Sequence, residues 1–441
     1  MTSSVPPGGV SPRTTNVRGL IFTGVFSAAF ICYLQRSTLS VVAVALTNER
    51  GFTTWQIAWL FNAFLFSYTA FQIPGGLFGQ RVGARFGTLA CVALSVVGTA
   101  LFAFAHALAA GTALFAVLCL ARLLLGVAQG PLFPTNSGLV QAWFAPGRWG
   151  LMNGLQVMGL SLGAAATPPI ASRLMDAYNW QVAVAATCVP GVLLALLWWW
   201  KVRDTPREHG GVSATEIALI EAGERPAQAR HFRWPQVRAV LGNRNILLLT
   251  FAYLLQNYVF YFFMNWSFTY LVKSRGLTIL DGGVLGMIPL ATGACCAALG
   301  GLLCDFASAR IGPRWGYRII PMITLPLAAL LLLVAMQSES VPVTIAALAA
   351  CFGCAQMTEA PFWAAAFFIA RDQASAATGI LNAGGNVGGI IGTFLVGYLV
   401  THFGWPAALT TGIGFALASA AVWLLVDTSR RVDATPVGVT P

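Results

Sequence analysis

The sequence predicts an all-α polytopic membrane protein with twelve spanning helices in two six-helix halves. Three observations carry that expectation. Hydrophobic side chains make up 57% of the 441 residues, charged ones only 9%, and the mean hydropathy is +0.74, unlike a water-soluble globule of ordinary makeup. The apolar stretches run about 20 to 28 residues, enough for helices crossing a hydrocarbon core about 30 Å thick, and none alternates as a barrel strand would. They fall into two sets of six, separated by one polar stretch.

In chain order, residues 1–18 form a polar, Pro/Ser-rich tail. The next span is too long for the apolar core of a cleavable signal peptide, so none is expected. The first half, 19–201, carries spans at roughly 19–46, 55–79, 87–109, 113–142, 150–174 and 180–201. Residues 202–244, with Asp204, Pro206, Arg207, Glu208, Glu216, Glu221 and Glu224, read as a solvated linker with a short surface helix around 213–223. The second half, 245–427, carries spans at roughly 245–271, 281–303, 318–337, 342–370, 376–401 and 405–427, and a second tail follows at 428–441.

Charge sets the expected orientation. With the amino terminus inside, inner segments collect most of the arginines, from Arg13 and Arg18 through Arg148, Arg225 and Arg371 to Arg431, while the outer side keeps Arg50, Arg173, Lys273 and Arg275. That is the positive-inside bias of a plasma-type inner membrane, with both termini cytoplasmic, and it accounts for the formal charge of +11 without a nucleic-acid partner.

Chemistry-bearing motifs are few. The nine cysteines lie in or at the ends of apolar spans, where Cys acts as a small hydrophobe, and no histidine accompanies Cys351 and Cys354 at ligand spacing. No metal or cofactor is expected, and the lack of a GxxxxGK[ST] loop argues against an ATP-driven pump or an enzyme of that kind. Gly384, Gly385, Gly388, Gly389 and Gly392 lie inside an apolar span at four-residue spacing, which reads as close helix packing rather than a phosphate loop.

Arg36 is the most informative residue. It stands in the middle of the first span, where an arginine costs roughly 2.5 to 3.5 kcal/mol even on the lenient insertion scale, so it should face a protein cavity and mark an anion site. Glu359 is the one carboxylate left at membrane depth, open between a proton-coupling residue, an ion-pair or ligand contact, and a headgroup-facing position. Phe61, Phe64, Phe133, Trp266, Phe362 and Trp363 are candidate cavity walls or lipid-facing rings.

The halves echo one another: 74–85 reads PGGLFGQRVGAR and 299–314 reads LGGLLCDFASARIGPR. Two such halves around a mid-membrane site form the architecture of a secondary transporter. Here the sequence resembles the major facilitator superfamily. Its loop signature GxLaDRxGxR is carried by Gly76, Leu77, Gly79, Arg81, Gly83 and Arg85, with Gln80 in place of the usual Asp and Asp305 keeping the acid in the second half. CYLQRSTLS (32–40), SYTAFQIPGG (67–76), RLLLGVAQGPLFPTN (122–136), LMNGLQVMG (151–159), QNYVFYFFMNWSFTYLV (256–272) and ILNAGGNVGGIIG (380–392) resemble the anion:cation symporter family, whose members carry hexuronates, aldonates, phthalate-like acids, glutamate or sialic acid.

The resemblance implies a monomeric carrier for a small organic anion. Arg36 takes the place of a substrate-pairing arginine, a role suited to its planar fork. Tyr68 and Gln156 match ligand contacts, and Tyr258, Tyr261, Asn382 and Asn386 are candidate contacts on the seventh and eleventh helices; each is open to a packing role instead. Arg122 matches a structural or gate-related arginine, with Arg81, Arg85 and Asp305 in the gate loops. Gln35 and Gln129 stand where proton-coupled relatives carry acids. An amide cannot cycle a proton, so these two are ligand contacts or structural groups, and proton coupling falls to Glu359 or is absent. A non-translocating receptor of the same fold and a cation or drug exporter remain as alternatives.

Overall fold

The computed structural model of the protein describes residues 17–144, 149–221, 238, 240–370 and 373–428. The outer parts of both tails, the linker core at 222–237 with Glu224 and Arg225, and Arg148 and Arg371 lie outside the described residues. Among the described residues, nine helices are long and apolar enough to cross a membrane by length and composition. One of them, Ile279–Gln337, has 59 residues and non-helical backbone at Gly312, so it crosses twice, as α8 (279–311) and α9 (313–337). With the less apolar Thr54–Val82 and Trp149–Ala177, the count reaches twelve.

In order these are α1 (Val17–Arg50), α2 (Thr54–Val82), α3 (Ala84–Leu108), α4 (Gly111–Trp143), α5 (Trp149–Ala177) and α6 (Trp180–Lys201), then α7 (Arg244–Arg275), α8, α9, α10 (Val341–Ala370), α11 (Ala374–Phe403) and α12 (Trp405–Leu425). Local chemistry sets the boundaries. Thr53 and Gln56 form a reciprocal capping box that opens α2. Gly83 (φ 92°) and Gly312 (φ 80°) turn the chain between α2 and α3 and between α8 and α9, in a conformation that a side chain strains. The sequence places a loop before 318; in the structure only that single glycine interrupts the helix.

Several spans are broken internally. In α4 the helix Gly111–Gln129 ends before Gly130 and Pro131 and resumes at Leu132–Trp143. In α10, Val341–Gln356 gives way to Glu359–Ala370 across Met357 and Thr358. A five-residue π segment, Phe262–Trp266, interrupts α7. Irregular backbone of this kind belongs inside a bundle, where neighbouring helices can satisfy the freed groups.

The linker is less solvated than its composition suggests. Asp204 Oδ1 accepts the backbone N–H of Arg85 at 2.8 Å, and the Trp143 indole donates to the Arg203 carbonyl at 3.0 Å. Glu216, on the surface helix Ala214–Glu221, is buried and pairs with Arg18 of α1. The first twenty residues of the linker are thus a docked part of the first half.

The halves join at the end away from the termini. There Phe394 of α11 sits against Trp55, Trp59 and Phe66 of α2, at 5.1, 4.9 and 6.3 Å between ring centroids. A Cβ on Gly397 would lie 2.9 Å from Ala58, and one on Gly283 of α8 would lie 2.0 Å from the Ser172 hydroxyl of α5. The core cluster here mixes both halves, from Leu46 and Phe61 to Trp266 and Phe352. Toward the termini, the buried clusters are each drawn from one half: Ile21 to Val202 in one, Val240 to Val426 in the other. Among the described residues, the halves share a buried core cluster at the far end and none at the termini end.

Candidate functional site

Arg36 lies near the middle of α1. Only 8% of it is exposed. Its Nη1 donates to the Tyr33 hydroxyl and its Nη2 to the Tyr261 hydroxyl of α7, both at 3.3 Å, so the fork bridges the two halves. Four rings surround the guanidinium, with centroids 4.7 Å (Phe64), 5.0 Å (Tyr33), 5.4 Å (Tyr68) and 5.8 Å (Tyr261) away. Cation–π attraction offsets part of the lost hydration. Among the described residues no carboxylate pairs with it.

Arg122 is buried nearby, 5.0 Å from the Phe64 ring, and its hydrogen bonds go to backbone. Nε donates to the Leu60 carbonyl and Nη1 to the Arg36 carbonyl, both at 3.3 Å. It braces α4 against α1 and α2. Of the two roles the resemblance implied for it, the geometry matches the structural one.

A second pole belongs to α10. Glu359 opens the second piece of that helix and is half-buried. Its Oε2 accepts the Tyr253 hydroxyl at 3.0 Å and the Trp363 indole at 3.3 Å, and among the described residues it has no ion-pair partner. Arg122 does not pair with it, being bonded to carbonyls of the first half.

Helix α7 connects the poles. Tyr253, Asn257 and Tyr261 recur every four residues along it, which keeps them along one side. Glycines of α11 let them approach: a Cβ on Gly385 would lie 2.4 Å from the Tyr253 ring, and one on Gly389 would lie 2.3 Å from the Tyr261 ring. The glycine run is packing, as its spacing predicts. Tyr261 also donates to Asn386 Oδ1 at 3.3 Å, leaving the buried Asn386 Nδ2 without a hydrogen-bond partner among the described residues. One turn nearer the termini, Asn382 Nδ2 donates to Gln72 Oε1 of α2 at 3.0 Å, a polar tie across the halves.

Arg36, Tyr68, Tyr261 and Asn386 of the expected residues thus come together, with Asn382 at the edge and Glu359 opposite. Others do not join them. Gln35 Nε2 donates to the Thr187 carbonyl of α6 at 3.3 Å, because the residue beside Arg36 on a helix points about 100° away. Gln129 Nε2 donates to the Cys32 carbonyl at 3.1 Å and serves the packing of α4 on α1. Tyr258, about 60° around α7 from Tyr261, donates to the Ala408 carbonyl of α12 at 2.8 Å. Gln156 is fully buried, and neither of its amide atoms has a hydrogen-bond partner among the described residues.

Of the gate residues, Arg81 and Asp305 are exposed at the termini end, and Arg85 donates to the Trp199 carbonyl at 2.8 Å. Trp266 packs on Phe61 at 5.6 Å in the far-end core cluster rather than in a cavity wall. Sequence reasoning missed Tyr33, Tyr253 and Asn257; the recurrence of polar residues at 253, 257 and 261 was the available signal.

A family model described as the Major Facilitator Superfamily matches residues 25–306 and 291–439. The chain is 29% identical to the "Hexuronate transporter" of Bacillus subtilis (strain 168) over 94% of this chain and 95% of that protein. It is 26% identical to the "Probable galactarate/D-glucarate transporter GudP" of the same organism over 98% and 96%. A bacterial homologue of the human lysosomal transporter Spinster, solved in an inward-facing and unoccupied conformation, superposes with a TM-score of 0.77 at 15% identity, over 97% of this chain and 100% of that one. With its two six-helix halves and the family match along almost its whole length, the chain belongs to the Major Facilitator Superfamily.

Proposed function

We propose that the chain is a monomeric secondary transporter that moves a small organic anion of the sugar-acid type across the inner membrane by alternating access, with both termini cytoplasmic. The observation that carries this reading is the buried, unneutralised guanidinium of Arg36, with an unpartnered Asn386 donor close by. A carboxylate would supply the missing charge and accept from both groups. The names of the relatives support the sugar-acid class. A cation exporter would be expected to have an acidic centre, which Arg36 opposes. The arginines at the turns beside both termini support the orientation.

Labelled glucuronate and galactonate in proteoliposome counterflow test the reading. Exchange of at least one of these acids is expected, and a purified protein that exchanges neither overturns the sugar-acid assignment.

Coupling is assigned to Glu359. Gln35 and Gln129 carry no titratable proton and are tied to backbone carbonyls, whereas Glu359 is a half-buried carboxyl with no ion-pair partner among the described residues. Glu359→Gln should abolish accumulation driven by an imposed proton gradient and spare counterflow, because an amide mimics the protonated acid. Gradient-driven accumulation that survives the change would place coupling elsewhere.

A further inference from the structure

Resting on the sugar-acid reading, we infer that the site selects a monocarboxylate whose far end carries a hydroxyl, and excludes diacids, because Glu359 faces the end of the substrate opposite Arg36. The two poles differ in sign. Arg36 is reached from α7 through the Tyr261 hydroxyl and Glu359 through the Tyr253 hydroxyl. Those tyrosines are eight residues apart, about 12 Å of helix rise. In an extended six-carbon acid, five carbon–carbon bonds of about 1.5 Å laid zigzag cover about 6 Å. A hydrogen bond of about 2.8 Å at each end brings the reach close to the same figure.

Tyr253 and Trp363 donate to Oε2, and Gln256 is a further side-chain hydrogen-bond partner of the carboxyl. Glu359 also opens a helix, where an anion is favoured by the exposed N–H groups. A terminal hydroxyl can donate to it. A second carboxylate at that position can only accept, and it would bring two like charges together in a partly desolvated space.

Galactonate and galactarate make a matched pair, differing only at the sixth carbon, alcohol in one and carboxylate in the other. Binding of each to purified wild-type protein and to Glu359→Gln, at a pH where both acids are ionised, tests the inference. Wild type should prefer galactonate by about tenfold or more, and Glu359→Gln should narrow the preference to about threefold or less. Wild type binding galactarate as tightly as galactonate, or a preference that persists unchanged in Glu359→Gln, overturns the inference and leaves the transporter reading standing. Failure of wild type to bind any sugar acid, glucuronate included, removes the sugar-acid reading and the inference with it. Because the wild-type ratio is informative alone, the test does not depend on the variant folding.

Discussion

Helices α4 and α10 occupy equivalent places in the two halves and share a short internal repeat, Gly126-Val127-Ala128-Gln129 in one and Gly353-Cys354-Ala355-Gln356 in the other. In both, the helix breaks just after the glutamine. In both, the glycine admits a neighbour: a Cβ on Gly126 would meet the Ser67 hydroxyl of α2, and one on Gly353 would meet the Cys296 sulfur of α8. The charges around this frame are reversed. Four residues before the glycine stand Arg122 in α4 and Ala349 in α10; six residues after it stand Leu132 and Glu359. A symmetric scaffold thus carries a basic side chain in the first half and an acidic one in the second, while the glycines that packing needs recur in both.

Breaking the basic side should have the largest effect. Arg36→Lys keeps the charge and loses the planar fork that reaches Tyr33 and Tyr261, so affinity for the transported acid should fall by about a hundredfold. Titration calorimetry on variants that keep the wild-type melting temperature checks this, and wild-type affinity in the Lys variant would remove the clamp. Arg36→Ala should be weaker still.

A smaller effect is expected at the second arginine, and of a different kind. Arg122→Met removes two charge-assisted hydrogen bonds, to the Leu60 and Arg36 carbonyls, each worth about 1.5 to 3 kcal/mol. The loss should appear as a lower melting temperature, with substrate affinity per folded molecule changed by less than about tenfold. Lost binding at unchanged stability would make Arg122 a direct ligand group and the first half doubly basic toward substrate.

The smallest effect sharpens the boundary of the second half's contribution. Tyr258→Phe removes one hydrogen bond, to the Ala408 carbonyl, worth about 1 kcal/mol. Stability should drop slightly and affinity should stay the same; a clear loss of affinity would return Tyr258 to the site.

Much of the site was legible in one dimension because membranes punish charge. Arg36 and Glu359 announce themselves as rare ions in apolar spans, and Tyr68, Tyr261 and Asn386 follow from helical spacing and resemblance. What misled was proximity along the chain. Gln35 adjoins Arg36 in sequence yet bonds α6, and Tyr258 lies three residues from Tyr261 yet bonds α12. A lone polar side chain in an apolar span satisfies itself on whichever carbonyl its face of the helix meets, and that face is set by neighbours.

The sequence by itself determined the twelve spans, the two halves, and the presence of Arg36 and Glu359 as ions within apolar spans, because span length and the cost of charge in lipid are local properties. Only the tertiary structure decided that Arg122 bonds the Leu60 and Arg36 carbonyls, that Glu359 accepts from Tyr253 and Trp363, and that α7 reaches Arg36 through Tyr261 and Glu359 through Tyr253. Those outcomes depend on which helix faces lie opposite each other across the two halves, and spacing within any single helix does not fix that.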